Sequence, residues 1–249
     1  MGPSPVLELG LGRLWYIEPS YLLCGVVEDH APGLQGCRQS AYPARALRQR
    51  RLLTMMSIQT VATKSFEGQK PGTSGLRKRV TVFEQEHYTE NFVQCILSAI
   101  PGGARGATLV VGGDGRYLSL PTVQKIVRLA AGNGVAKLII GQNGILSTPA
   151  ASHVIRLRKA TGGILLTASH NPGGPNADFG IKYNVQNGGP APEAVTNKIY
   201  ELTTKIDHYF LQQGDDVDLS QVGAASFGDL QIDVIDPIKA VSYTHLRAH

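Results

Sequence analysis

Cysteine is scarce in this chain. Cys24, Cys37 and Cys95 stand far apart in 249 residues, with no CxxC pair and no Cys/His cluster. They read as reduced thiols of an intracellular protein rather than as a metal site or a disulfide framework. No run approaches the roughly 18 apolar residues that a membrane span needs. The most apolar early stretch, "LWYIEPSYLLCGVV", is broken by Glu18 and Pro19. The N-terminus has no basic head leading into an apolar core, so a secretory signal is not expected. The net charge is +5, yet no block of five or more like charges occurs. A nucleic-acid-binding tail is therefore not expected either. What remains, 42% apolar residues with 6% aromatics, suits a soluble globular protein, and the 29 glycines and 14 prolines announce many tight loops.

Lysine is absent from residues 1–54, which hold six arginines, whereas the rest of the chain holds ten lysines. This segment also lacks a sustained helix or strand period. It reads as a disordered leader or a non-native upstream segment, with Met55 and Met56 of "TMMSIQT" as starts. An organelle transit peptide is the functional alternative, but Glu8, Glu18, Glu28 and Asp29 make the segment too acidic for one. Residues 55–237 form the expected domain. Residues 238–249, with the patternless "AVSYTHLRAH", read as the truncated start of a second domain or an unrelated tail.

Between these ends the pattern is α/β. "ATLVVGGD" (Ala107–Asp114) is a short β-branched run closed by glycines, suited to a buried strand. "LPTVQKIVRLAAGNG" (Leu120–Gly134) carries apolar residues at helical spacing and stops at Gly132-Asn133-Gly134. "AKLIIG" (Ala136–Gly141) is a second strand. "TPAASHVIRLRKATGG" (Thr148–Gly163) is a second helix, capped by Thr148 with Pro149 in its first turn. "ILLTAS" (Ile164–Ser169) is a third strand, and "FGIKYN" (Phe179–Asn184) a fourth, antiparallel to the third. "APEAVTNKIYELTTKIDHYF" (Ala191–Phe210) predicts one long amphipathic helix, and "DLQIDVID" (Asp229–Asp236) a further strand. This rhythm predicts a mixed, mostly parallel β-sheet covered by helices on both faces.

Ligands of such sheets bind at the carboxyl ends of the strands. "TASHNPGG" (Thr167–Gly174) places Ser169 and His170 there, before a Pro-Gly-Gly turn. A serine hydroxyl is a weak nucleophile unless a base or a strong electrophile helps it. Lys182 lies across the expected hairpin, where it could stabilise phosphate charge, or move a proton if burial lowered its pKa. The same residues also make an ordinary capped turn. "KPGTSGLRKRV" (Lys70–Val80) combines Gly72 and Gly75 with the hydroxyls of Thr73 and Ser74 and the fork of Arg77, a set suited to a phosphate or to a solvated basic loop. "VVGGDGR" (Val110–Arg116) adds a strand-end loop with Arg116, but no GxxxxGK[ST] string marks a P-loop.

Five segments in order, "PGTSGLRKRV", "TLVVGGDGR", "IIGQNGILSTPA", "GGILLTASHNPGGPN" and "DFGIKYNVQNGGPAPE", resemble the phosphoglucomutases of the α-D-phosphohexomutase superfamily. The resemblance runs from about Met55 to Ile238. It implies that Ser169 is the phosphoserine, with His170 beside it and Lys182 as the lysine of proton transfer. It places Thr73, Ser74, Arg77 and Arg116 on phosphate. It also implies Mg2+ bound to Ser169 through its phosphate, glucose 1,6-bisphosphate as intermediate and activator, a hexose phosphate substrate, a cytoplasmic location and a monomer. Two departures stand out. The family's metal loop "DGDxDR" is absent, as are the sugar and distal phosphate loops; "GDDVD" (Gly214–Asp218) has different spacing and reads as a solvated loop. Ala177 stands where the family more commonly has glycine, with little effect expected unless its φ is positive. The implied activity is interconversion of glucose 1-phosphate and glucose 6-phosphate, with these 249 residues alone expected to be inactive. The alternatives are a non-catalytic adhesion-type relative, or a mutase or bisphosphate synthase for another hexose phosphate.

Overall fold

The structure, a computed structural model, describes residues 57–240. The expectations for residues 1–54, for the two methionines after them and for the tail beyond residue 240 lie outside the described residues.

Alternation of buried side chains builds the central sheet. In β3 (Thr108–Gly113), Leu109 and Val111 enter one apolar cluster and Val110 the other. The same split divides Leu138 and Ile140 from Ile139 in β4 (Lys137–Ile145), and Ile164 and Leu166 from Leu165 in β5 (Gly162–Leu166). Strands apolar on both faces must be covered on both faces. On the first face lie α2 (Tyr88–Ala99), through Phe92, Val93 and Ile96, and α3 (Ser119–Gly132), through Val123, Ile126 and Val127. On the second lies α4 (Thr148–Leu157), through Ala150, Ala151, Val154 and Ile155. A fully buried Leu or Ile contributes about 1.5–3 kcal/mol, so these strand interiors, rather than the glycine turns, hold the sheet.

The seven-stranded sheet runs β2 (Leu76–Arg79), β6 (Asp178–Val185), β5, β3, β4, β9 (Leu230–Ile235), β8 (Gly223–Phe227). The pairs β5–β3, β3–β4 and β4–β9 are parallel, while β2–β6, β6–β5 and β9–β8 are antiparallel. Only β6 and β8 therefore oppose the common strand direction. The one-turn helix α1 (Val80–Phe83) follows β2 directly, and α5 (Glu193–Thr203) packs on α2. Outside the main sheet, β1 (Ile58–Ala62) pairs antiparallel with β7 (His208–Gln212).

The structure corrects several boundaries. The helix expected over Ala191–Phe210 ends at Thr203. The hydroxyls of Thr203 and Thr204 turn back onto the carbonyls of Tyr200 and Glu201, at 2.7 and 2.8 Å. Such back-bonding competes with helix propagation. The following "HYFLQ" forms β7, where aromatic side chains fit a pleated surface. The cap of α4 is Ser147, whose Oγ accepts from Ala150 N at 3.4 Å, and not Thr148. This helix stops at Leu157, because Gly162 and Gly163 already belong to β5. β5 in turn ends at Leu166, leaving Thr167–Ser169 free to form a loop. Gly214–Asp218 is a loop in which Asp215, Asp216 and Asp218 are exposed, and Asp216 meets Arg128 at 2.6 Å.

Candidate active site

Parallel pairing of β3 with β5 sets Gly113 opposite Leu166 and sends both chains out at the same sheet end. The loop after β3 carries Asp114 and Arg116; the loop after β5 carries Thr167 and Ser169. Antiparallel pairing of β5 with β6 sets Leu165 opposite Lys182, and β6 pairs Gly180 with Arg77 of β2. Four segments distant in sequence thus meet because the sheet order is β2-β6-β5-β3.

Ser169 has φ 55°, left-handed backbone that a serine seldom adopts. Asn171 N donates to Ala168 O at 3.2 Å, closing the turn that exposes Ser169 and His170. Both backbone groups of Ser169 are held. Its N–H donates to Thr167 Oγ1 at 2.9 Å, and its carbonyl accepts from Arg116 Nη2 at 3.1 Å. Its hydroxyl accepts from Arg77 Nη2 at 2.7 Å. Arg77 Nε is buried and has no hydrogen-bond partner among the described residues. An arginine that meets the hydroxyl with one nitrogen and keeps another unsatisfied is suited to a bidentate oxyanion such as phosphate.

Arg77 stands on a tight turn. Gly72 and Gly75 exchange both backbone hydrogen bonds, at 3.1 and 3.0 Å, leaving Thr73 and Ser74 exposed at the tip. Gly75 lies so close to β6 that a Cβ there would sit 2.4 Å from Ile181 O. This packing fixes the turn beside Lys182. Burial, and then the neighbouring Arg77 charge, hold the Lys182 ammonium below the ordinary lysine range. His170 is exposed and makes no side-chain hydrogen bond among the described residues.

Arg116 is placed differently from a free phosphate donor. Its Nε and Nη2 meet the two carboxylate oxygens of Asp114 at 2.8–3.1 Å. Its Nη1 donates to Asp178 O at 2.8 Å. The side chain is only 8% exposed. It braces the serine loop from beneath. Asp114 also accepts from Thr167 Oγ1 at 2.7 Å. Burial pushes the Asp114 carboxyl up, but these bonds and the Arg116 charge outweigh it and hold the group below the ordinary carboxylate range. Asn171 Nδ2 donates to Asp178 Oδ2 at 2.9 Å, and Arg79 Nη1 to Asn176 O at 2.6 Å. Asp114 and Thr167 lay within the quoted strings "VVGGDGR" and "TASHNPGG" without a role. The signal was an Asp two residues before an Arg at a strand end. Ala177 is not at positive φ, and it donates to Gly174 O and accepts from Val80 N, as an alanine readily does.

The donor set suits an anion better than a bare cation. Among the described residues no group of three or more His, Cys, Asp or Glu side chains could hold a metal ion. Asp114 and Asp178 are already engaged by Arg116, Thr167 and Asn171. These residues do not by themselves fit a magnesium site.

Fold and site together define an α/β domain that presents an exposed serine, met by an arginine, at its sheet end. The sequence matches the family described as phosphoglucomutase/phosphomannomutase, alpha/beta/alpha domain I, over residues 68–210, and the chain belongs to that family. It is 62% identical over 180 residues to the phosphoglucomutase of Aspergillus fumigatus, covering 72% of this chain and 32% of that one. It is 56% identical over 196 residues to the cytoplasmic phosphoglucomutase of Pisum sativum, covering 74% and 34%. The fold is similar to pp63/parafusin of Paramecium, a phosphoglucomutase in an open form. That match has a TM-score of 0.71 and 41% identity, over 76% of this chain and 36% of that one. The chain spans about a third of the length of the curated relatives it matches.

Proposed function

We propose that this chain carries the phosphoserine of a phosphoglucomutase, interconverting glucose 1-phosphate and glucose 6-phosphate through glucose 1,6-bisphosphate, with Ser169 as the phosphoryl carrier. The observation that carries this reading is the 2.7 Å contact of Arg77 with the Ser169 hydroxyl on an exposed strand-end turn. The relatives named phosphoglucomutase support it.

In the reaction, a sugar hydroxyl oxygen bonds to phosphorus as the bond to Ser169 Oγ breaks. The hydroxyl proton is lost from the sugar and Ser169 Oγ gains one. Phosphoryl transfer depends on positioning and on charge stabilisation. Arg77 supplies charge at the serine oxygen, and Thr73 and Ser74 present hydroxyls from the neighbouring turn. Lys182, its ammonium more acidic than usual, suits delivery of the proton to Ser169 Oγ. His170 stands at the rim of the same turn. Arg116 steadies the loop that holds the carrier. Magnesium would neutralise phosphate charge when bound, with the phosphate on Ser169 as this chain's contribution to its coordination. We further read residues 55–237 as the domain I unit, and the setting as a cytoplasmic monomer.

The test is phosphosite mapping. After incubation of a full-length phosphoglucomutase carrying this domain with glucose 1,6-bisphosphate, fragmentation mass spectrometry should place phosphate on Ser169, and the Ser169→Ala form should take up none. Phosphate found only elsewhere would refute the assignment.

A further inference from the structure

The carrier serine sits on strained backbone, and one carboxylate stands behind both groups that restrain it. Asp114 Oδ2 accepts a hydrogen bond from the Thr167 hydroxyl at 2.7 Å, which leaves the lone pairs of Thr167 Oγ1 to accept from Ser169 N at 2.9 Å. The same carboxylate takes the Arg116 fork at 2.8–3.1 Å, and Arg116 Nη2 reaches Ser169 O at 3.1 Å. Asp114 lies 53 residues from Thr167 in sequence and meets it only through the β3–β5 pairing. Left-handed backbone is unfavourable for an L-residue, so an unrestrained turn would relax and swing the hydroxyl away from Arg77.

We propose that Asp114 and Thr167 are positioning residues, which grip both backbone groups of Ser169 and hold its hydroxyl on Arg77 for phosphoryl transfer. This inference rests on the reading of Ser169 as the carrier. The grip has a chemical consequence. The Ser169 amide is already spent on Thr167, so the phosphate on Oγ is met by side chains and not by its own backbone. The loop is therefore tuned for orientation of the oxygen rather than for tight anion capture. Loss of the grip should slow transfer without weakening substrate binding.

The informative variants are Thr167→Val, which keeps the shape and loses the hydroxyl, and Thr167→Ser, which keeps it. Mutase turnover with glucose 1-phosphate is measured in a full-length phosphoglucomutase carrying this domain, together with phosphoryl loading of Ser169 and the melting temperature. A misplacement of about 1 Å can cost about a hundredfold in rate. Thr167→Val is expected to lower kcat by about 10- to 100-fold, with KM within about twofold and the chain still folded. Thr167→Ser is expected near the wild-type rate. Should Thr167→Val fail to fold, Asp114→Asn, which keeps the side chain's shape, is expected to show the same split between kcat and KM. Wild-type kcat in Thr167→Val, or equal losses in the Val and Ser variants, would overturn the inference while leaving the carrier assignment intact. A wild-type chain that takes up no phosphoryl group would overturn both.

Discussion

Substitution of Gly75 by alanine tests the geometry that sets Arg77 beside Lys182, and the structure provides its own control. Gly75 and Gly102 both have φ +85°. An added methyl at Gly102 meets nothing within 4 Å, whereas at Gly75 it lies 2.4 Å from Ile181 O and 2.9 Å from both Cα and Cβ of Lys182. Each change incurs the left-handed backbone penalty of about 1–2 kcal/mol. Each also recovers about 0.4–1 kcal/mol by restricting the unfolded chain. These terms cancel in the comparison. The difference is the collision alone, about 1–3 kcal/mol for overpacking against fixed backbone. With a urea dependence of about 2 kcal/mol per molar, the Gly75→Ala midpoint should fall about 0.5–1.5 M below that of Gly102→Ala. Far-UV circular dichroism in urea reads this directly. The collision is relieved only by moving the β6 edge, so Gly75→Ala should also slow phosphoryl uptake at Ser169 while Gly102→Ala leaves it unchanged. Equal midpoints for the two variants would refute the close packing of the turn on β6.

Four further outcomes are expected. Arg77→Ala removes the donor from the Ser169 oxygen and should slow phosphoryl uptake by about 10²- to 10³-fold, measured as the rate of phosphoserine formation; a change below about threefold would exclude Arg77 from the transfer. Lys182, followed by isotope-edited NMR, should titrate below 10.5, and Arg77→Met should raise its pKa because a repelling charge is gone. A lowered lysine pKa disfavours the charged form in the folded state. This cost is present below the folded value and fades as pH rises through the unfolded one, so Lys182→Met should gain most against wild type at neutral pH and least at strongly alkaline pH. Asp114 runs the other way. Its lowered pKa contributes stability above the ordinary value of 3.8, which is lost as pH falls through the folded value, so Asp114→Asn should flatten the acid limb of a stability profile.

The legible part of this fold was the part written in local pattern. β3, β4, β5 and β9 appear in the sequence as short apolar runs, and α3 and α4 as helical periods between them. The antiparallel β6 followed from the glycine-rich turn ahead of it. Pairings that depend on distant partners were hidden. β1 and β7 join residues 58–62 to 208–212, and nothing local in "HYFLQ" distinguishes a strand from the end of a helix. β2 was read as a loop because its four residues are mostly basic; its strand character comes from lying along β6. The site divides in the same way. Ser169, Lys182 and Arg77 announce themselves by residue type and neighbouring glycines. The contact of Asp114 with Thr167 arises only once β3 and β5 run side by side, and the engagement of the Arg116 fork by Asp114 is likewise visible only in the folded chain.

The central claim is that Ser169 carries a transferable phosphoryl group. The most direct measurement is discharge: a full-length phosphoglucomutase carrying this domain is labelled on Ser169 with radioactive phosphate, freed of donor, and mixed with unlabelled glucose 6-phosphate and magnesium. The account predicts that label leaves the protein and appears in glucose 1,6-bisphosphate. Label that stays on the protein, or leaves only as inorganic phosphate, would contradict it.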